Sequence, residues 1–344
     1  MKRYQRGVAL IVVLLIVAII AIIATDITSR NQLAVRRTLN LAEYDQAYWY
    51  AMSAEQLIKK VLKKDLNESK GRVHLQQNWA TSNVVFPAEY GEIAGKVTDL
   101  RSCFNLNALS QPSSENKNGL QQMPLAVEQF RYFLVALGMD DFAAEQLSQR
   151  LKDYLDADSA TTPFGAEDSE YRSRTVPYRA ANTLMHDKSE LRAVIGVTQE
   201  LYKKIAPYIC VIPDNDQQQL NINTVKPAQS VLLAGMLENK VSVEEAESMI
   251  SRRPADGYGQ IEDFWNDNAS DLAGMNDQIK SSFTVNSDYF LLHSGAKVNQ
   301  AVFQMQSILK RGSNNNIDVV ARQFGVQHEE PEDRSNLQQD SFGE

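Results

Sequence analysis

An unbroken apolar run near the N-terminus constrains this chain more than any other feature. Residues 8–24 carry only aliphatic side chains and follow a short basic leader that ends in Gly7. As an α-helix this run rises about 26 Å, close to the roughly 30 Å hydrocarbon core of a bilayer. The run therefore predicts one membrane-spanning helix over residues 8–25. The positive leader predicts that residues 1–7 stay in the cytoplasm and that the rest of the chain is exported.

The order of the small residue and the apolar run argues against a secretory signal peptide. A signal peptide places its small-residue cleavage site after the apolar run. Here Gly7 precedes the run, so cleavage at Gly7 would leave the hydrophobic helix on the mature protein with Val8 as its first residue. An ordinary, uncleaved signal anchor is the alternative.

Charge and composition indicate which kinds of molecule this chain can bind. The chain has 344 residues and a net charge of −8, a length that allows two or three domains. Beyond the leader and residues 59–64 no stretch is rich in lysine and arginine. Proteins that bind nucleic acid usually present such a basic stripe, so the sequence predicts no nucleic-acid partner.

The two cysteines, Cys103 and Cys210, leave the redox compartment open. In an oxidising periplasm they can form a disulfide, whereas in a reducing cytosol they would be two free thiols. Sequence spacing gives no distance between them, so both alternatives stand.

A long helix is predicted to continue beyond the membrane. Residues 8–70 contain neither glycine nor proline, and apolar side chains recur at three- and four-residue intervals, which marks one face of a helix. These positions are Leu41, Tyr44, Tyr48, Ala51, Ile58 and Val61. We predict one helix from Val8 to about Lys64, roughly 85 Å long. A membrane anchor followed by a separate amphipathic helix is the alternative.

Strand-like segments flank a helical insert. Their composition and turn residues predict strands at Asn83–Phe86, Glu92–Phe104, Ser282–Leu292, Gln300–Lys310 and Ile317–Gln323. A long helix on an antiparallel sheet that is split by an insert gives an α+β fold. The predicted segments are a first sheet part at 26–106, an inserted α-helical domain at 107–280, a second sheet part at 281–325 and a disordered acidic tail at 326–344.

The insert contains a degenerate internal repeat. Phe104–Asn107 is matched by Leu220–Asn223, and Ala144–Arg150 is matched by Ala246–Arg252. Each Asn-x-Asn follows a strand-like run and precedes a helical one, where short amides suit caps and turns. The repeat predicts two small helical units stacked into one lobe.

The second copy resembles SAM-like and helix-hairpin-helix modules, some of which bind DNA through a glycine-rich hairpin. Its hairpin is predicted to hold only Gly235 and is surrounded by glutamates at positions 238, 244, 245 and 247. Such an acidic hairpin repels phosphate. A structural or protein-binding role is therefore favoured over DNA binding.

One acidic loop between the two copies is a candidate cation site. Five carboxylates fall within residues 156–170, namely Asp156, Asp158, Glu167, Asp168 and Glu170. Calcium takes six to eight oxygen ligands from flexible loops. Asp156, Asp158 and Glu167 occupy positions 1, 3 and 12 of an EF-hand template, but Ala160 and Thr161 break it at positions 5 and 6. A solvated acidic loop is the alternative.

The sequence shows no strong pattern of catalytic residues. The four histidines lie far apart, and the sequence holds neither a Gly-x-Ser-x-Gly elbow nor a phosphate-binding glycine loop. The sequence therefore predicts no enzymatic activity.

Several of these features together resemble one family. The leader that ends in Gly7 resembles the class III leaders of type IV pilins and type II secretion pseudopilins. Those families carry a glutamate at the fifth mature position, where this chain has Val12, and its absence is a mark of the protein K family of pseudopilins. The acidic loop also resembles that family at Asp156, Asp158, Gly165, Ala166, Glu167, Asp168, Tyr171, Pro177, Tyr178 and Asn182.

The resemblance carries expectations about processing, cofactor and location. It implies that a prepilin peptidase cuts after Gly7 and that Val8 is then methylated. It also implies that calcium binds the helical domain. The expected location is the inner membrane of a Gram-negative bacterium, with a single membrane pass and most of the chain in the periplasm.

The resemblance also implies a function. We expect a minor pseudopilin at the tip of the type II secretion pseudopilus, which binds the minor pseudopilins I and J, with H as a further candidate. This complex would initiate assembly and help to push folded proteins across the outer membrane. The alternatives are a component of a DNA-uptake pseudopilus and a membrane-anchored, calcium-dependent periplasmic enzyme.

Overall fold

A single helix of 63 residues, α1 (Arg6–Glu68), begins the fold. The computed structural model describes residues 6–81, 84–115 and 121–325, so the first five residues of the predicted leader at 1–7 and the predicted tail at 326–344 lie outside the described residues. The structure confirms one continuous N-terminal helix, about 95 Å long. Gly71 ends it with a φ of 90°, where its N–H donates to the Leu66 carbonyl at 2.8 Å. Only glycine adopts such a φ without strain.

Strands and further α-helices follow α1 in the described part of the chain. The strands are β1 (Val84–Ala88), β2 (Gly91–Asp99), β3 (Phe104–Asn105), β4 (Ser114–Glu115), β5 (Gln121–Gln122), β6 (Ile209–Cys210), β7 (Leu220–Asn221), β8 (Phe283–Thr284), β9 (Tyr289–Val298), β10 (Ala301–Arg311) and β11 (Ile317–Phe324). The further helices are α2 (Leu125–Ala136), α3 (Asp141–Leu155), α4 (Asp168–Arg172), α5 (Gln199–Ile205), α6 (Ser230–Met236), α7 (Val243–Arg252), α8 (Ile261–Asp267) and α9 (Asp277–Lys280).

The main sheet is antiparallel and is split in sequence. Its order is β1-β2-β9-β10-β11, and each neighbouring pair runs antiparallel. Strands β2 and β9 are adjacent although the chain between them makes a long excursion. The structure therefore confirms an α+β fold in which a long N-terminal helix packs on an antiparallel sheet. The segment boundaries at 26–106, 107–280 and 281–325 stay predictions.

The C-terminal half of α1 covers one face of this sheet. Ala47 and Ala51 are fully buried and pack against Phe303 and Met305 of β10. Further along the helix, Leu62 lies in a second buried cluster with side chains of β9 and β10. Alternate residues of β10 are buried, as a half-covered strand requires. The helix and the sheet therefore share one apolar layer.

The strand predictions need two corrections. The predicted strand Glu92–Phe104 is interrupted after Asp99, because the Asp99 side chain accepts from the Arg101 N–H and its carbonyl accepts from the Ser102 N–H. These bonds close a turn. The predicted strand Ser282–Leu292 is also divided, because β8 pairs with β7 whereas β9 pairs within the main sheet.

The chain between β2 and β9 holds two units that share a backbone plan. Each starts and closes with a two-residue parallel pair, β3 with β6 and β7 with β8. In the first unit Asn107 accepts from the Met185 N–H and donates to the Met185 carbonyl. In the second unit Asn223 makes the same two bonds with Tyr258. The second asparagine of each Asn-x-Asn thus clamps a distant peptide group. That each unit has a SAM-like or helix-hairpin-helix fold stays a prediction.

A disulfide closes the first unit. Cys103 and Cys210 are bonded, with their Cα atoms 5.8 Å apart and a sequence separation of 107. The bond lies beside the β3–β6 pair, and both cysteines are buried.

The two units pack through one glycine. Gly235 lies inside α6, so the prediction that it belongs to the hairpin is wrong. A Cβ atom at Gly235 would lie 2.3 Å from the Phe133 Cα of α2. The two helix backbones therefore approach more closely than any other residue permits.

Candidate functional site

The acidic loop forms a compact carboxylate group at the end of α3. Asp156 is the C-terminal cap of α3 and Glu167 is the N-terminal cap of α4. Carboxylate oxygens of Asp156, Asp158 and Glu167 all lie within 4.8 Å of one another. The chain folds back here because Asn182, further along, donates to the Asp158 carbonyl at 2.9 Å, and its N–H donates to the Tyr154 carbonyl. The structure thus brings together three of the five predicted ligands.

Several oxygen atoms of this group are buried without a hydrogen-bond partner. They are Asp156 Oδ1, both carboxylate oxygens of Glu167 and, beside them, Asp153 Oδ1 and Asn182 Oδ1. Asp156 and Glu167 each expose only 4% of their surface. Lys152 contacts the other oxygen of Asp156. An unpartnered buried carboxylate is costly, so a bound cation would stabilise this arrangement.

The negative charges of neighbouring carboxylates contribute to raised pKa values of Glu167 and Asp153. Burial, together with the charges of Asp153 and Asp156, raises the pKa of Glu167 to about 7. Burial also raises the pKa of Asp153 to about 6, with the Asp156 charge adding to it. Mutual repulsion of this kind is what a bound cation relieves.

Sequence reasoning missed Asp153, which lies on α3 and faces the loop. It is fully buried, and its Oδ2 accepts from the Thr162 N–H at 3.0 Å. Gly165 passes so close that a Cβ there would lie 1.7 Å from this oxygen. The signal in the sequence was the spacing of three residues between Asp153 and Asp156, which places both on one side of a helix end.

The other two predicted ligands have local partners. Asp168 accepts from the Ala180 N–H and pairs with Arg172 at 2.6 Å. Glu170 accepts from the Glu167 N–H and from the Ser169 hydroxyl at the start of α4. These two side chains hold the loop in shape around the other three carboxylates.

The residues of the loop fit a calcium ion. Two oxygens that share a calcium ion at 2.3–2.6 Å are at most about 5 Å apart, and the three carboxylates satisfy this limit. All of the donor atoms are oxygens. Calcium prefers oxygen ligands, whereas histidine nitrogen and cysteine sulfur suit transition metals. Asp153 adds its charge to these three carboxylates, and Lys152 pairs with Asp156, so a divalent cation would neutralise part of the remaining negative charge.

The predicted processing residues lie at the start of α1. Helix α1 begins at Arg6, so Gly7 and Val8 are in its first turn, and Val8 is exposed. The apolar stretch that follows is long and hydrophobic enough to cross a membrane and is not buried by the rest of the described chain. This helix fits a single-pass membrane anchor.

Two family models match the chain, both for protein K of the type II secretion system. The first matches residues 102–214 and the second residues 220–286. These ranges coincide with the two units described above. Similarity to the family is therefore carried by the duplicated lobe and not by the apolar helix alone.

Curated relatives match along almost their whole length. Type II secretion system protein K of Aeromonas hydrophila is 39% identical over 94% of this chain and 98% of its own. The protein of the same name from Pectobacterium carotovorum is 35% identical, again over 94% and 98%. These names describe a component of a secretion system rather than an enzyme.

A solved structure has the same fold. A chain from the crystal structure of the GspK-GspI-GspJ complex of enterotoxigenic Escherichia coli aligns with a TM-score of 0.74 and 36% identity. The alignment covers 85% of this chain and all of the other. Family models, relatives and fold agree, and the chain belongs to the type II secretion system protein K family of minor pseudopilins.

Proposed function

We propose that this protein sits at the tip of the type II secretion pseudopilus, where it binds the minor pseudopilins I and J and initiates assembly. The match to a chain of the GspK-GspI-GspJ complex carries this proposal. The tip position has a physical argument as well. The chain between β2 and β9 adds a bulky lobe to the helix and the sheet, and such a lobe is easier to place once, at an end, than at every step of a tightly wound filament.

Complex formation tests the partners directly. The chain from Thr25 onward is mixed with the periplasmic domains of I and J from the same bacterium, and the mass of the product is measured by size-exclusion chromatography with light scattering. We expect a stable complex with one copy of each. Replacing J by the major pseudopilin is the control. Three separate monomers at micromolar concentrations would contradict the proposal. Adding the periplasmic domain of H to the same mixture tests whether H joins as a fourth subunit.

The tip position predicts an unusual tolerance in the membrane helix. In related pilins the glutamate at the fifth mature position pairs with a neighbouring subunit, and this chain has Val12 there. A subunit at the tip has no neighbour above it that would require or exclude this carboxylate. We expect cells that carry the Val12→Glu variant to secrete cargo at close to the wild-type level. A secretion defect as severe as deletion would contradict the tip position.

Processing at Gly7 is the second part of the proposal. A prepilin peptidase would remove residues 1–7 and leave a methylated Val8 at the head of a membrane-bound chain in the periplasm. Mass spectrometry of the protein from native membranes is expected to find this N-terminus. A chain that begins beyond Thr25 would contradict it.

Calcium is the third part, with Asp156, Asp158 and Glu167 as its proposed ligands. Binding at a concentration 100 times Kd adds about 2.7 kcal/mol of stability, which raises the Tm of a domain this large by roughly 5–10 °C. We expect this rise with calcium and its loss in Asp158→Asn. Asp168→Asn is the matched variant. If only Asp156, Asp158 and Glu167 bind calcium, Asp168→Asn keeps the calcium-induced rise in Tm. If Asp168 and Glu170 are ligands as well, Asp168→Asn abolishes that rise.

A further inference from the structure

An exposed basic loop of the first unit has no role in the function proposed above. The basic loop comprises residues 172–179, all of which are exposed except the half-buried Tyr178. The short 3₁₀ helix Lys188–Ala193 follows it in sequence. Residues 172–192 carry five cations against the two carboxylates of Asp187 and Glu190, in a chain whose net charge is −8. The cations are Arg172, Arg174, Arg179, Lys188 and Arg192.

Two contacts hold the basic loop close to this 3₁₀ helix. The Tyr178 hydroxyl donates to the Ala193 carbonyl at 2.6 Å, and Ala193 directly follows Arg192. The guanidinium carbon of Arg174 lies 5.7 Å from the centre of the Tyr178 ring. The cations of the loop and those of the 3₁₀ helix therefore belong to neighbouring segments, and their charges add to one positive surface.

The basic loop has charges that its own surroundings leave unpaired. Arg172 pairs with Asp168 at 2.6 Å, but Arg174 and Arg179 have no carboxylate partner in the described part of the chain. Val176 lies between them in sequence and exposes 75% of its surface, the largest exposed fraction of any large apolar side chain among the described residues. An acidic segment with some apolar side chains is the complement of such a surface.

The residues that follow Gly325 have this composition. Nineteen residues follow Gly325 in the sequence and carry six carboxylates against one arginine. They also include the apolar side chains of Leu337 and Phe342. The carboxylates are those of Glu329, Glu330, Glu332, Asp333, Asp340 and Glu344. These residues lie outside the described part of the chain, so the argument for their position rests on charge and on reach.

Strand β11 ends beside the basic surface, which puts the acidic segment within reach of it. The Gln323 Nε2 of β11 donates to the Asp187 Oδ2 at 3.1 Å, and Asp187 directly precedes the 3₁₀ helix. That helix advances about 2 Å per residue, so roughly 12 Å separate Asp187 from Ala193 and the Tyr178 hydroxyl. An extended chain covers about 3.3–3.6 Å per residue, so residues 326–333 span more than twice this distance.

We propose that the acidic segment 329–344 docks on the basic loop, where its carboxylates pair with Arg174 and Arg179 and its apolar side chains cover Val176. Exposed ion pairs are individually weak. The contact therefore depends on several pairs and on the covalent tether, which gives the segment a local concentration in about the millimolar range. An anion from another molecule must displace the segment to reach the loop. This contact depends neither on the calcium ion nor on the tip position.

Distances between two nitroxide labels test the contact in the 344-residue chain in detergent micelles. The labels are attached at Thr175→Cys in the basic loop and at Ser341→Cys in the segment, and the native cysteines take up no label because they are bonded to each other. Double electron–electron resonance measures the distances. We expect a short, narrow distribution at about 10 mM salt, where the Debye length is about 30 Å, and a longer distribution at about 1 M salt, where it is about 3 Å.

The width at high salt has an expected scale. Sixteen positions separate Gly325 from Ser341, and a free chain of this length has a root-mean-square end-to-end distance of about 20–24 Å. Salt that screens the ion pairs should therefore broaden the distribution at least about twofold.

Charge-reversal variants locate the contact. Arg174→Glu/Arg179→Glu should give the broad distribution already at low salt. Lys60→Glu/Lys240→Glu makes the same change in net charge at two exposed positions outside the loop and should keep the narrow one. Both variants are compared at their Tm values with the starting protein. Replacing the six carboxylates of the segment by the corresponding amides should also broaden the distribution, and this variant changes no residue of the lobe.

Three results would overturn the proposal. They are a broad distribution of the starting protein at low salt, a narrow one that persists at high salt, and equal behaviour of the two charge-reversal variants. Each would leave the basic loop open to an anion from another molecule.

Discussion

A buried ion pair fastens the long helix to the outer strand of the sheet. Glu55 of α1 is fully buried and accepts two hydrogen bonds from Arg322 of β11, both at 2.8 Å, and one from Ser307 of β10 at 2.7 Å. Burial alone would raise the pKa of Glu55, but the bonds from Arg322 and Ser307 outweigh it, and the pKa lies below its ordinary value. The folded state therefore holds the ionised form.

Removing this charge should weaken the fold at neutral pH. For the chain from Thr25 onward, we expect Glu55→Gln to lower the free energy of unfolding by roughly 1.5–3 kcal/mol, the contribution of hydrogen bonds to a charged group. Because the folded pKa is depressed, this stabilisation is present above the unfolded pKa of about 4.5 and is lost as pH falls through the folded value. Urea unfolding at pH 7 and pH 3.5 measures both effects.

A matched variant on the same helix separates this pair from a general charge effect. Glu68 pairs with Lys64 at 3.8 Å, with both side chains largely exposed. Glu68→Gln should change the free energy of unfolding by less than about 0.5 kcal/mol. If Glu55→Gln were as mild as Glu68→Gln, or lost equal stability at both pH values, the helix would not depend on this ion pair.

The two Asn-x-Asn clamps are the clearest single-residue signature of the repeat. Asn107 is fully buried and Asn223 is 1% exposed, and each holds the N–H and carbonyl of one residue. We expect Asn107→Ala and Asn223→Ala each to cost on the order of 2–4 kcal/mol, because two buried backbone groups lose their partners. Thermal unfolding measures this, with Asn266→Ala at an exposed position of α8 as the control. A cost below the control for either variant would show that the clamps are not equivalent.

At the scale of elements, the structure explains which sequence predictions hold. Helix α1 was predictable because 63 residues without a breaker leave few alternatives. The hydrogen-bond partners of Asn107 and Asn223 were not predictable. Met185 lies 78 residues from Asn107, and no local sequence pattern indicates such a contact. In the acidic loop, a count of carboxylates cannot separate side chains that face an ion from side chains that cap a helix. Glu170 does the latter, and Asp153 was hidden inside a helical pattern.

The crossing of α2 and α6 is the tightest contact between the two units. A Cβ at Gly235 would fall 2.3 Å from the Phe133 Cα, so Gly235→Ala must push the two helices apart. We expect a loss of about 1–3 kcal/mol, typical of an overpacked core. Gly95→Ala in β2 is the control, since its Cβ would lie 3.8 Å from the nearest atom. Equal Tm values for the two variants would contradict a rigid helix crossing.

At the scale of the whole molecule, a polar junction at Asp99 joins the sheet to the lobe. Asp99, at the end of β2, is almost fully buried and accepts from Asn221 and Thr224 of the second unit at 2.9 and 2.6 Å. Asn221 also donates to the Val73 carbonyl just after α1. The first asparagine of the second repeat thus ties the lobe to both layers of the pilin-like part. These bonds fix the lobe relative to both the helix and the sheet.

The disulfide beside this junction secures the first unit over a long loop. In the chain-entropy view, cross-linking a loop of roughly 100 residues stabilises the folded state by about 4.7 kcal/mol, and the sequence separation of Cys103 and Cys210 is 107. Engineered and native bonds often deliver less, so we expect reduction to cost on the order of 3–5 kcal/mol. Urea unfolding of the chain from Thr25 onward, with and without dithiothreitol, measures the difference.

The variant Cys103→Ser/Cys210→Ser is the control for this measurement. It should unfold as the reduced wild-type protein does, and dithiothreitol should not change it further. Because the bond closes only the first unit, the second unit around Asn223 should keep its amide hydrogen-exchange protection after reduction, while amides near β3 and β6 exchange faster. Uniform loss of protection across both units would mean that the lobe unfolds as one body, in which case the duplicated units share a single cooperative core.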